Sequence, residues 1–184
     1  QYLQQREDRS QGTSLPEEKR KERLKKKKGN KPQFDLRAGL FRMTGVDLTQ
    51  IDCIDVTTAT TILSEAGSDM SKWETEHHFV SWLRLCPDNR IHVALKMAAS
   101  TLRTSNTYLG AQFRRLKAKL GAPVAIKAMA AKLARLVYRM LRYGMKYVDQ
   151  GATFYELRHR ELQVKQLKSK AAKLGYQIVQ APAA

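Results

Sequence analysis

Acidic residues are in short supply: the chain holds 17 Asp and Glu against 34 Lys and Arg, a formal net charge of +17 over 184 residues. From Asn89 to Val148 there is no Asp or Glu at all, while thirteen Lys or Arg occur. Such a span argues against an ordinary sign-mixed surface and implies a polyanionic partner. Nucleic acid fits, because each cation that neutralises a phosphate releases a condensed counterion; a membrane surface is the other candidate. Long apolar runs are missing too. None approaches the roughly 20 residues that span a bilayer, and no signal peptide opens the chain, so the expectation is a soluble, intracellular protein. Only two cysteines occur, Cys53 and Cys86. They lie in helical or helix-flanking segments rather than a disulfide framework, which suits a reducing compartment. Together with His77, His78, His92 and His159 they show no zinc-ligand spacing, so no metal site is expected. Asp47, Asp52 and Asp55 cluster in sequence, but caps and turns explain them better than two-metal chemistry.

Strand-like alternation of period two is also absent, and what remains is helical punctuation. Asp47-Leu48-Thr49 reads as the start of a short turn, and Asp55 as an N-cap before Val56, Ala59, Ile62, Leu63 and Ala66, with Gly67 ending the run. Thr75 caps a helix carrying Phe79, Trp82 and Leu83, stopped by Pro87. Further helices are expected over residues 93–104, with Val93, Met97, Ala98 and Leu102 as apolar members, then 110–120, 123–143 and 153–174. Gly121 and Pro123 make the break between the middle two. The predicted fold is all α: a helical domain over 34–121, a long helical extension over 122–184, and a flexible basic linker over 1–33, largely disordered. In that linker nine of the thirteen positions from Lys19 to Lys31 are basic and only Glu22 is acidic, including the run Lys25, Lys26, Lys27 and Lys28. Self-repulsion extends such a stretch and offers it to phosphates. A nuclear-localisation reading is the weaker alternative.

Within the acid-free span, Lys132, Arg135, Arg139, Arg142 and Lys146 recur at spacings of three and four, which predicts a single-sign stripe on one helix face. Met129, Leu133, Leu136, Val137, Met140 and Leu141 fall opposite and are expected in the core. With Arg90, Lys96, Arg103, Arg114 and Arg115, the stripe and the Lys25–Lys28 run form the candidate nucleic-acid-binding set. A basic amphipathic helix also suits a membrane or a calmodulin-type partner, but this apolar face lacks Trp and Phe and reads as packed inside a helical domain. Tyr108, Tyr138, Tyr143, Tyr147 and Tyr155 either stack on bases or sit partly buried, and helical spacing favours burial.

The run Leu48 to Ala59 resembles a helix-hairpin-helix element, in which the second helix offers its amides to a phosphate. Ile51, Cys53, Ile54, Asp55 and Thr57 are its key positions, with Cys53 and Asp55 where the hairpin glycines usually stand. Two readings stay open: a phosphate-binding hairpin, or a capped turn within the core.

Several separate segments are similar to one family. Phe41 to Leu48, Thr61 to Gly67, Asp69 to Trp73, His78 to Leu83 followed by Cys86-Pro87, Leu109-Gly110, Phe113 to Leu116, Lys132 to Leu141, and Tyr147 to Gly151 all resemble the C-terminal domain of insertion-sequence transposases of the IS one-ten type. The resemblance implies an N-terminal RuvC-like domain with four acidic metal-binding residues, a coiled-coil arm, and a helical domain whose serine attacks DNA while a structured RNA guides recombination. It also implies homo-oligomers in a bacterial cytoplasm, associated with the nucleoid when bound. The chain opens at Gln1 and is expected to be a fragment lacking the RuvC-like domain, so divalent metal is expected only in that absent part. After Cys86 to Ile91 the family continues into a Ser/Gly-rich stretch bearing the nucleophile. Here Ile91 runs directly into His92 to Met97, so that loop reads as deleted, and Ser81, Ser100 and Ser105 do not match the nucleophile's position, Ser81 reading as a packing residue. No catalytic residue is assigned. The expected function is DNA binding, with guide-RNA binding beside it, in a transposase region inactive alone. A complete enzyme, which would need a serine, and a non-catalytic binding or assembly module unrelated to transposition are the competing readings.

Overall fold

A computed structural model describes residues 8–10, 13–17, 35–85 and 89–179. The described residues form seven α-helices: α1 (Leu36–Thr44), α2 (Val56–Ala66), α3 (Glu76–Leu85), α4 (Arg90–Thr101), α5 (Tyr108–Leu120), α6 (Ala122–Tyr143) and α7 (Gly151–Lys173). Two short 3-10 turns, Leu48–Gln50 and Leu102–Thr104, link them, and no strand occurs among the described residues. The all-α expectation is met.

Local chemistry sets the boundaries. Asp55 Oδ1 accepts from the Thr58 amide at 2.8 Å and starts α2, and Thr75 Oγ1 accepts from the His78 amide at 3.3 Å at the start of α3. Gly121 ends α5, and Pro123 in the first turn of α6 has no amide that would go unpaired there. The apolar face of α6 buries Ala125, Met129, Leu133, Ala134, Val137 and Tyr138 and packs against α3, α4 and α5. Its small residues let the neighbouring backbones approach, and each fully buried Leu or Met contributes about 1.5–3 kcal/mol. The core therefore runs across the junction of residues 121 and 122. A second layer comes from α2 on α4, with Ile51, Ile54 and Ile62 fully buried between them and the preceding turn.

One helix differs from expectation in phase. α4 begins at Arg90 rather than residue 93, because the buried Asn89 accepts from the Ile91 amide at 2.9 Å and caps it. Ile91, Leu95, Ala98, Ala99 and Leu102 then form the inward row, while Val93 and Met97 face solvent at 52% and 67% exposure. Ile91 was overlooked as the first member of that row, and starting the count there would have given the correct phase.

Two pieces of the segment expected to be largely disordered lie on the folded body. The Arg9 amide donates to the Arg42 carbonyl at 2.7 Å. Pro16 and Glu17 carbonyls accept from Arg37 at 2.7 Å and Gln50 at 3.2 Å. The Lys25–Lys28 run, Cys86 and Pro87 lie outside the described residues. Among the described residues no helix is long and apolar enough to cross a membrane.

Candidate nucleic-acid interface

The hairpin region is built around a buried carboxylate. Asp47, 6% exposed, accepts from the Thr49 amide at 3.0 Å, from Gln50 Nε2 at 3.0 Å and from Arg37 Nε at 3.1 Å. Burial pushes the Asp47 carboxyl up, but the bonds from Arg37, Thr49 and Gln50 outweigh it and hold the group below the usual carboxylate range. The chain then reverses at Cys53, which has φ +68, a left-handed conformation rare for a side chain with a Cβ. This is one of the positions where the resemblance expects glycine. Substituting Cys53→Gly removes a cost of about 1–2 kcal/mol while adding chain entropy to the unfolded state. Because the half-buried Cys53 side chain that packs against the core is lost as well, urea unfolding is expected to show little net change for Cys53→Gly, whereas the β-branched Cys53→Val loses stability.

Ile51 and Ile54 point into the core, and Asp55 and Thr57 are exposed at the start of α2. The Asp55 carboxylate already occupies the Thr58 amide. A phosphate arriving at this helix end would meet a negative charge, so the geometry favours the capped turn.

Beyond α2, the loop to α3 folds over an aromatic cluster. Trp73 lies 4.9 Å from both Phe79 and Trp82, ring centre to ring centre. The hydroxyl of Tyr138 on α6 donates to the Trp73 carbonyl at 2.8 Å and pins that loop to the core. Ser81 is exposed on α3 rather than packed. Ser100 Oγ donates to the Met97 carbonyl at 2.6 Å, and Ser105 Oγ shares a 2.9 Å bond with the Thr107 hydroxyl.

Residues 47–91 match the model of the Transposase IS116/IS110/IS902 family. The transposase match thus takes in the buried-carboxylate turn, α2, the aromatic cluster of Trp73 and α3, and the first two residues of α4. It ends at Ile91, the point beyond which the chain is already helical. No curated protein and no solved structure matches the chain.

The basic residues are sorted by what surrounds them. In the stripe on α6, Arg139 is paired: its Nη2 donates to Glu76 Oε1 at 2.8 Å, and its Nε also donates to that carboxylate. This bond, ahead of the opposing effect of desolvation, holds the Glu76 carboxyl below its ordinary range, helped by the charges of Arg139 and Arg135. The expected absence of any compensating acid is thereby corrected, since the acid comes from α3, 63 residues away. Lys132 is turned into the α5–α6 seam, donating to Gln112 Oε1 and lying 5.1 Å over the Tyr108 ring. Burial first, then Arg135 and Arg139, push the Lys132 ammonium below its ordinary value. Lys146 leaves the stripe because α6 stops at Tyr143 and Gly144 turns left-handed, φ +63. Half-buried Arg135 and exposed Arg142 remain on the face, with no ion-pair partner among the described residues.

Elsewhere Arg90 stands 3.6 Å from Glu65, and Arg114 Nη1 donates to the Ser105 carbonyl at 2.6 Å, a structural role. Arg103 and Arg115 are exposed and Lys96 is half-buried. Arg84 on α3 and Lys127 on α6 were overlooked in the sequence. They face His92 and Lys96 of α4, an arrangement that a count along any single helix does not show. Of the tyrosines, Tyr138 is buried, Tyr108, Tyr147 and Tyr155 are half-buried and Tyr143 is exposed. Tyr147 is anchored at the hairpin, 3.5 Å from Asp52 Oδ2; burial first, then the Asp52 and Asp149 charges, push its hydroxyl far up.

Proposed function

We propose that the chain acts in DNA transposition as the nucleic-acid-binding helical part of a transposase. The observation that carries the reading is the transposase-family match over residues 47–91. Its DNA-binding component is supported by the acid-free span from Asn89 to Val148 and by Arg103, Arg115, Arg135 and Arg142 standing on its surface. Phosphate contacts from such cations are sequence-independent and position a duplex or a structured RNA without reading bases. The helix already under way at Ile91 supports a region that binds without supplying a nucleophile.

Fluorescence anisotropy with duplex DNA and a structured RNA across a salt series tests this. Affinity is expected to fall steeply with salt, and Arg135→Glu with Arg142→Glu to weaken binding to every sequence alike, reducing the salt slope by about one per cation removed. Binding that ignores salt, or no binding at low salt, defeats the reading. Unchanged binding by the charge-reversed protein would favour the assembly module instead.

A further inference from the structure

Three cations that the fold brings against a neighbouring element have an acid: Arg37 has Asp47, Arg90 has Glu65 and Arg139 has Glu76. Among the described residues, one cluster of cations has none. Between α3, α4 and α6 lies an open cleft of about 420 Å³, within the range of about 300–1,000 Å³ typical of small-ligand sites. Its rim carries Arg84 from α3, His92 and Lys96 from α4 and Lys127 from α6, over a floor of Leu83, Leu95 and α6 alanines. No Asp or Glu is among its described lining residues. Three helices have thus converged three permanent cations on one hollow, and a bound anion would relieve their mutual repulsion.

We propose that this cleft seats one phosphodiester of a nucleic-acid strand, with Arg84, Lys96 and Lys127 around the phosphate oxygens and the adjoining sugar on the apolar floor. The proposal rests on the nucleic-acid reading above and gives it a place. With no Phe, Tyr or Trp among the described lining residues, and with His92 on the rim beside the cations, the seat holds backbone and does not select sequence. His92 serves as its reporter. Burial first, then the charges of Lys96, Arg84 and Lys127, keep the imidazole below its ordinary value. A seated phosphate reverses that balance and favours the imidazolium, so by linkage the strand is held more tightly as the pH falls through the His92 range.

The test uses the full chain and two double variants of equal charge loss, Lys96→Gln with Lys127→Gln in the cleft and Arg135→Gln with Arg142→Gln outside it. Anisotropy is read against single-stranded DNA, duplex DNA and an RNA hairpin, and the His92 titration is followed by NMR with and without inorganic phosphate. The cleft pair is expected to weaken binding roughly tenfold more than the outside pair, and the strand type that loses most identifies the source of the phosphate. Phosphate is expected to raise the His92 pKa in the wild type and not in the cleft variant. Equal weakening by the two pairs, or a His92 titration that phosphate does not move, overturns the seat while wild-type binding keeps the functional reading intact. A wild type that binds none of the three strands overturns both.

Discussion

Gly110→Ala is expected to destabilise the protein by about 3 kcal/mol and to lower its thermal midpoint by roughly 10 °C. Gly110 is buried in the first turn of α5, against the chain that leads out of α4. A Cβ there would stand 2.1 Å from the Ser105 carbonyl oxygen and 2.8 Å from its carbon. Those are backbone atoms and cannot rotate away. They are also held in place: the Ser105 amide donates to the Leu102 carbonyl at 3.2 Å, and its oxygen takes the Arg114 guanidinium at 2.6 Å. Relief must therefore come from moving α5 bodily away from the Leu102–Thr104 turn, which disturbs the buried Leu102, Leu109 and Phe113. Gly144→Ala is the control. Its φ of +63 strains any L side chain, but a Cβ there meets nothing within 4 Å, so only the conformational cost of about 1–2 kcal/mol applies. Equal midpoints for the two variants in a calorimetric scan would mean that the close approach at Ser105 is not what makes Gly110 necessary.

The second large effect belongs to the carboxylate of Asp47. Asp47→Ala removes the partner of Arg37, whose side chain is 13% exposed, and the cap of the Leu48–Gln50 turn. Leaving a largely buried guanidinium uncompensated costs about 3–5 kcal/mol, whereas Arg37→Met with Asp47→Leu, which removes both charges, is expected to retain more stability than the single variant. The pH dependence follows from the same group. Its folded pKa is depressed, so its contribution is complete above the ordinary value of 3.8 and drains away as the pH falls below it through the folded pKa. Urea midpoints measured from pH 6 downward should therefore drop below about pH 4 in the wild type. Asp47→Ala should show a shallower drop.

Asp47, Asp55, Thr75, Gly67 and Gly121 were legible as boundaries because a cap or a helix stop is a contract between residues two to four apart. The core face of α6 was legible for the same reason, since Met129, Leu133, Val137 and Met140 repeat on a single helix. What failed depended on partners far away in the chain. The stripe on α6 read as uncompensated because Glu76 belongs to another helix, and Lys132 read as a surface cation because only packing against α5 brings Gln112 and Tyr108 to it. Lys146 was placed by continuing a helical period past Gly144, where the backbone abandons it. The candidate cleft escaped notice altogether, being assembled from one or two residues on each of three helices.

Asp149 closes the acid-free span, and its carboxylate does two things at once. Its Oδ1 accepts from the Tyr108 amide at 3.0 Å and from the Gly151 amide at 3.2 Å, tying the start of α5 to the start of α7. α7 buries none of its 23 residues and meets the body mainly through Tyr155 and Phe154 against Tyr108. At 1.5 Å per residue it runs roughly 27 Å beyond Tyr155. Tilting it by about 10° about that contact swings its tip through about 5 Å. Whatever meets the far end of α7 gains leverage over the first turn of α5, where Gly110 and Ser105 leave almost no room to yield.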